Sequence, residues 1–220
     1  MDEKISISAV VPIYNEEKTV GLVLDTLISS NLFSQIICIN DGSTDKSLEV
    51  LRRYSDKVTI IDLEKNMGKG YALAEGVSRS KSDLVLFLDA DFLNLEKIHL
   101  EKLIKPILYQ ETDVVVGLTS DSFLYKKTFS YLSGQRVFFK KDLVPLLPRM
   151  KLSRYGVEIL LNEAFKNKKI VKVLLKDLGH LTKTKKHHSL KAMRGYLTEG
   201  KEIAIELTKN KKIKRFLSKT

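Results

Sequence analysis

Two aspartates spaced i, i+2, Asp89 and Asp91, follow the run Leu84-Val85-Leu86-Phe87-Leu88. Five successive apolar residues read as a strand buried on both faces, as in a parallel sheet. Ligands of open α/β sheets bind beyond the carboxyl ends of strands. Residues two apart on an extended chain share a face, so both carboxylates can address one guest. Two ionised groups that close repel each other unless positive charge lies between them. Hard oxygen ligands suit Mg²⁺ or Mn²⁺, ions that usually also hold substrate phosphates. The pair therefore reads either as a divalent-cation site gripping a diphosphate or as a strand end with an Asp-rich turn.

Other polar residues fall at comparable places. Asp41 closes the apolar run Ile36-Ile37-Cys38-Ile39 and can accept hydrogen bonds from a base imide or a ribose, or serve as a turn or N-cap residue. Gly68-Lys69-Gly70 lets backbone approach a phosphate, with Lys69 offering charge. It has neither the P-loop nor the dinucleotide-fingerprint spacing, and taken alone a plain turn explains it better. Glu158 precedes an apolar helix and is either a capping carboxylate favoured by the helix dipole or a buried group acting as base or sugar-hydroxyl acceptor. His180, in a glycine turn after a strand, is either solvated or a third ligand beside the acidic pair. Arg136, in Ser133-Gly134-Gln135-Arg136, presents a planar fork suited to phosphate, or else a surface ion pair.

The elements that must position these residues alternate. Apolar runs at 5–13, 36–39, 58–63 and 84–88 read as strands, and helical spacing at 19–30, 45–54 and 69–77 reads as helices between them. This β-α-β-α-β-α-β order predicts a doubly wound, mostly parallel sheet flanked by helices, an α/β fold. A helix follows at 95–109 with a kink expected at Pro106, then strands at 114–117 and 170–175, a helix opened by Tyr155-Gly156-Val157-Glu158 and running to about 165, and a strand of different direction near Val137-Phe138-Phe139.

Composition narrows the classes. The 220 residues are 43% hydrophobic and 30% charged, as in a globular chain with a real core. One cysteine, Cys38, excludes a disulfide framework and reads as a buried structural thiol. No membrane-spanning run or signal peptide is visible, so the expected location is the cytoplasm. The net charge of +11 is concentrated late: residues 165–220 hold 17 Lys and Arg against 4 Asp and Glu. Residues 1–182 are expected to form the main domain and 183–220 a basic helical C-terminal extension. That extension reads either as a solvated face packed on the domain or as an interfacial helix for an anionic, inner-face membrane surface. Its few aromatics argue against nucleic acid.

Taken together, Val10-Val11-Pro12-Ile13-Tyr14-Asn15-Glu16-Glu17, Asn40-Asp41-Gly42-Ser43-Thr44-Asp45, Asn66-Met67-Gly68-Lys69-Gly70 and Asp89-Ala90-Asp91 resemble family 2 glycosyltransferases of the GT-A fold over about residues 5–180. The resemblance implies a UDP- or GDP-linked sugar donor and Mg²⁺ or Mn²⁺. It places Pro12, Tyr14, Asn15 and Glu16 around base and ribose, Asp41 on the base, and Gly68, Lys69 and Ala90 with the donor. Asp89 and Asp91 would be the DxD motif, with Asp91 favoured for direct metal contact. The second half is similar both to polyprenyl-phosphate sugar transferases and to glucosyl-3-phosphoglycerate synthases, the latter implying His180 at the metal. The implied acceptor is phosphorylated or lipid-linked, with Arg136 and Lys140 or Lys141 holding its anion and Glu158 as base or sugar ligand. An oligomer is compatible with the resemblance. A nucleotidyltransferase of similar fold and a non-catalytic membrane-associated adaptor are the alternatives.

Overall fold

The computed structural model describes residues 5–119, 133–153 and 156–179. The extension at 183–220, Tyr155 and His180 lie outside them. Seven strands form one sheet: β1 (Ile7–Ile13), β2 (Gln35–Asp41), β3 (Thr59–Leu63), β4 (Leu84–Phe87), β5 (Val114–Leu118), β6 (Arg136–Phe139) and β7 (Ile170–Leu174). Their order is β3-β2-β1-β4-β6-β5-β7. β6 runs antiparallel to both of its neighbours, and the other pairings are parallel. The expected mostly parallel sheet is therefore present, with the strand of different direction at its expected place.

Strand parity builds the two layers. Ala9, Val11, Cys38, Leu84 and Leu86 face one side, where α1 (Val20–Ser30), α2 (Ser47–Arg52) and α4 (Lys97–Leu108) supply Val23, Leu24, Leu51, Leu100 and Leu103. Val10, Ile37, Ile39, Val85 and Phe87 face the other, against α3 (Lys69–Arg79), α5 (Lys140–Leu143), α6 (Leu147–Leu152) and α7 (Val157–Ala164). Cys38 is fully buried, and burial pushes its thiol up to about 12, as befits a small core residue.

Pro12 shows how the sequence tolerates its own breaker. Val10 accepts Leu88 N–H at 3.2 Å, so even-numbered residues of β1 turn their backbone groups towards β4. β4 has ended by the level of Pro12, because its last pairing is Phe87 with Val10. The absent N–H therefore breaks no ladder bond. Past this point the ends of β1 and β2, the start of β6 and the chain leaving β4 share one rim, the carboxyl rim of the parallel strands.

Gly76 sets how closely α3 can approach the sheet. A Cβ there would lie 2.3 Å from Val10 Cγ1 and 2.9 Å from Ile39 Cδ1, both in the packed core. Gly76→Ala is expected to lower stability by about 1–3 kcal/mol through overpacking, measured by urea unfolding, with far-UV circular dichroism retained. An unchanged midpoint would mean that α3 shifts freely.

Candidate functional site

Lys69 opens α3 at the carboxyl rim, and its ammonium lies 2.7 Å from Asp89 Oδ1 and 2.8 Å from Glu158 Oε1. Asp89 follows β4 with the parity of Val85 and Phe87, which aims it at the α3/α7 layer. Glu158 lies in the first turn of α7, whose N-cap residue, Gly156, makes no side-chain capping bond. Of the two readings of Glu158, the buried carboxylate in a polar cluster is the one the geometry favours. Its side chain is only 9% exposed, against 22% for Lys69 and 25% for Asp89.

The second oxygen of Asp89 accepts Gln135 Nε2–H at 2.7 Å, and Ser133 Oγ donates to Gln135 Oε1 at 3.0 Å. Gly134 between them is required by close approach: a Cβ there would lie 2.5 Å from both Lys69 Nζ and Asp89 Oδ2. Arg136 is 2% exposed, and its Nε donates to Ser133 O at 2.7 Å and its Nη1 to Asn162 Oδ1 at 2.8 Å. Burial pulls the Arg136 guanidinium down, to about 10, against the attraction of Glu158 and then Asp89. Burial also pulls the Lys69 ammonium down, but Asp89 and Glu158 together outweigh it and hold it above the ordinary lysine range.

Two neighbouring loops are laced into the same rim. Asp41, 3% exposed, accepts Met67 N–H at 2.6 Å and Gly68 N–H at 2.9 Å, so it holds the glycine loop that presents Lys69. Asn15, at φ 59°, accepts Thr44 N–H at 2.8 Å, Ser43 Oγ accepts Asn15 N–H at 3.1 Å, and Ser47 Oγ accepts Glu16 N–H at 2.8 Å. Tyr14 stands exposed at the mouth, and Pro12 is half-buried beside it.

Several expectations change in detail. Both Asp89 oxygens are engaged, by Lys69 and Gln135, so the positive charge facing Asp89 is an ammonium. Asp91 is half-buried at the same rim. Arg136 braces the cluster from beneath the surface and does not reach outward to an acceptor. Lys140 and Lys141 follow the far end of β6, four residues and about 13 Å along the strand from Arg136. Lys140 N–H is bonded to Asp83 O at the start of β4, and Lys141 lines a cleft with Asp113 and Lys168 at the opposite rim. These two lysines therefore do not share a phosphate with Arg136. Ala90 is buried with Phe92 in the α1/α4 layer, so its methyl does not line the cleft. Sequence reasoning passed over Gln135 and Asn162. Asn162 stands i+4 from Glu158, one turn along the same helix face, and that spacing was the available signal.

Among the described residues no three His, Cys, Asp or Glu side chains cluster to hold a metal ion. A hard cation of the Mg²⁺ type usually binds through one or two carboxylates plus substrate phosphates, so a single rim carboxylate such as Asp91 fits that mode. Among the described residues no helix is long and apolar enough to cross a membrane.

Residues 8–174 match the profile of Glycosyl transferase family 2. The chain is 32% identical to human dolichyl-phosphate beta-glucosyltransferase over 156 residues, covering 63% of this chain and 46% of that protein. It is 25% identical to the dodecaprenyl-phosphate galacturonate synthase of Rhizobium johnstonii over 173 residues, covering 74% of this chain and 49% of that protein. The chain thus spans less than half the length of these curated relatives. Glucosyl-3-phosphoglycerate synthase from Mycobacterium tuberculosis, solved with Mn²⁺, UDP-glucose and phosphoglyceric acid, superposes with a TM-score of 0.71 at 23% identity, covering 93% of this chain and 79% of that one. That likeness places the fold with the GT-A neighbours.

Removing the shared cation isolates its effect. Lys69→Met is expected to destabilise by roughly 3 kcal/mol in urea unfolding, because two poorly solvated carboxylates lose their counter-charge. Adding Asp89→Asn and Glu158→Gln to that variant is expected to recover part of the loss. A triple variant no more stable than Lys69→Met would show that the ion pairs do not set the cluster's stability.

Proposed function

The chain belongs to glycosyl transferase family 2, and from that premise we propose that it transfers a sugar from a UDP- or GDP-linked donor to an anionic acceptor, a polyprenyl phosphate or a phosphoglycerate-like phosphate, with Mg²⁺ or Mn²⁺. One observation carries the reading: a charge-balanced polar cluster of Lys69, Asp89, Glu158 and Arg136 sits at the carboxyl rim of the sheet, with Asp91 two residues beyond Asp89. In open α/β sheets that rim is where ligands bind.

In this proposal Pro12, Tyr14, Asn15 and Glu16 line the base and ribose, with Asn15 and Glu16 held by their bonds to Ser43, Thr44 and Ser47. Asp41 acts on the base side chiefly by shaping the 66–70 loop, whose glycines admit the donor backbone closely. Asp89, Lys69 and Glu158 present paired donors and acceptors to the sugar hydroxyls, fixing the anomeric carbon for attack. Arg136, Gln135 and Asn162 keep those carboxylates oriented. Asp91, with His180, would hold the cation. When bound, a divalent cation neutralises charge on the leaving nucleotide. An acceptor phosphate is already an anion and needs no base, so Glu158 then serves the sugar; with a hydroxyl acceptor it would take the proton. The basic segment 183–220 would bring the chain to an anionic lipid surface where the acceptor is lipid-linked. Similarity to a dolichyl-phosphate glucosyltransferase and to a dodecaprenyl-phosphate galacturonate synthase supports the polyprenyl acceptor.

A thermal-shift panel of nucleotide sugars with and without Mn²⁺ tests donor and metal together. One UDP- or GDP-sugar is expected to raise Tm in a Mn²⁺-dependent way, equivalent to about 2.7 kcal/mol at a hundredfold excess over Kd. Asp91→Asn is expected to keep the far-UV circular dichroism of the fold, lose the Mn²⁺-dependent increment and abolish transfer. Turnover of Asp91→Asn at the wild-type rate would refute the metal assignment. Pyrophosphate release from a nucleoside triphosphate would replace sugar transfer by nucleotidyl transfer.

A further inference from the structure

Between β6 and α7 the chain is helical without a break: α5, a 3₁₀ turn at Val144–Leu146 and α6 follow one another over residues 140–152. One side of this segment packs. Leu143 and Met150 are fully buried in the layer shared with α3 and α7, and Leu146 and Leu147 are half-buried against it. Lys151 is held on that side as well, its ammonium 2.6 Å from Glu75 Oε1 and 5.2 Å from the centre of the Tyr71 ring, both on α3.

The outward side is largely apolar too. Lys141, Val144, Pro145, Pro148, Arg149 and Leu152 stand exposed, at the three- and four-residue spacings that share a helix face. Leu152 is 84% exposed and Val144 47%. A surface helix ordinarily turns charged and polar residues to water. Here apolar side chains and cations alternate along one ridge, and residues 143–157 contain no Asp or Glu. At its start the ridge adjoins the cleft in which Lys141, Lys168 and Lys169 face Asp113 and Asp142, three lysines against two aspartates.

Charge decides what fits this ridge. A second copy meeting it across a two-fold axis would set Lys141 and Arg149 against their own equivalents, like charge against like. The core of a protein interface is depleted of charged residues, whereas here the cations lie among the apolar side chains. An anionic bilayer surface satisfies both kinds of residue at once, with phosphates for the cations and the headgroup boundary for the apolar side chains. We propose that the outward ridge of residues 141–152 is a contact surface for an anionic lipid bilayer, with Val144 and Leu152 entering the headgroup boundary and Lys141 and Arg149 meeting lipid phosphates. This contact belongs to the folded domain and is separate from the basic segment 183–220. The ridge crosses its layer from the amino rim, where β6 ends, to the carboxyl rim, where α7 begins and carries Glu158. A lipid-linked acceptor would therefore approach the polar cluster from this side. That last step rests on the functional reading above; the lipid contact does not.

The chain contains no tryptophan, so a single introduced indole reports alone. Leu152→Trp and Val144→Trp place it on the ridge of the full chain, at exposed positions where it displaces no packed neighbour. Leu22→Trp, at an exposed position of α1 in the opposite layer, is the control. Emission is read during titration with brominated vesicles of phosphatidylglycerol and phosphatidylcholine, and with brominated phosphatidylcholine alone. Both ridge reporters are expected to shift blue and to be quenched by the anionic vesicles, and Leu22→Trp to do neither. Adding Lys141→Glu and Arg149→Glu to Leu152→Trp is expected to weaken the response about tenfold. Should one ridge reporter fail to fold, the other decides alone. Vesicle binding with unchanged ridge emission would assign the lipid contact to another part of the chain and overturn the inference. So would no binding, an equal response with phosphatidylcholine alone, an equal response of Leu22→Trp, or an undiminished response after charge reversal. A blue shift that grows with protein concentration in the absence of vesicles would give the ridge to a second copy instead. Failure of the sugar-transfer reading would leave each of these readouts unchanged, since none involves donor or acceptor.

Discussion

The Lys69 ammonium between two carboxylates is the interaction on which the rim depends. A cation at the first turn of a helix opposes the macrodipole, and partial burial opposes any charge. Lys69 bears both penalties because Asp89 and Glu158 meet it at 2.7 and 2.8 Å. Those carboxylates need the ammonium as much, since a buried ion without a partner is strongly destabilising. Three segments far apart in sequence are thereby fastened at one point: the start of α3, the exit of β4 and the first turn of α7. Gly134 keeps the chain entering β6 close enough for Gln135 to take the remaining Asp89 oxygen.

The setting of Asp89 follows from strand parity and from where the strand stops. Parity puts Asp89 over the α3/α7 layer, where the polar partners are. β4 ends at Phe87, and by Asp91 the chain is already turning towards Leu93, which bonds to Gly179. Spacing i, i+2 guarantees a shared face only while the backbone stays extended. The spacing alone therefore does not decide whether the two carboxylates meet one guest.

This explains what was legible. Strands, helices and the reversed strand at Val137-Phe138-Phe139 could be read from apolar runs because burial on two faces leaves an unmistakable pattern. The residues of the rim could be named because polar groups at strand ends are conspicuous. Their pairings could not be read, because they depend on how far α3 and α7 advance over the sheet. The glycine loop around Lys69 reads as a turn or a phosphate approach, and nothing in it points to Glu158, some ninety residues away. Lys140 and Lys141 were grouped with Arg136 by closeness in sequence, which a four-residue strand converts into opposite rims.

Charge balance makes the remaining step of the argument. Lys69 and Arg136 against Asp89 and Glu158 leave the cluster without net charge, and each member is already committed to another. Such a cluster is suited to neutral hydroxyls, which can accept from the cations and donate to the carboxylates without disturbing the total. It is poorly suited to a diphosphate, whose negative charge would compete with Asp89 and Glu158 for the same ammonium. Attraction for a diphosphate must therefore come from positive charge outside this four-residue set. A divalent cation, in the proposed reading, would supply that charge without competing for Lys69. On the same proposed reading the balanced cluster would serve the sugar hydroxyls, and the phosphates would be met by positive charge from elsewhere.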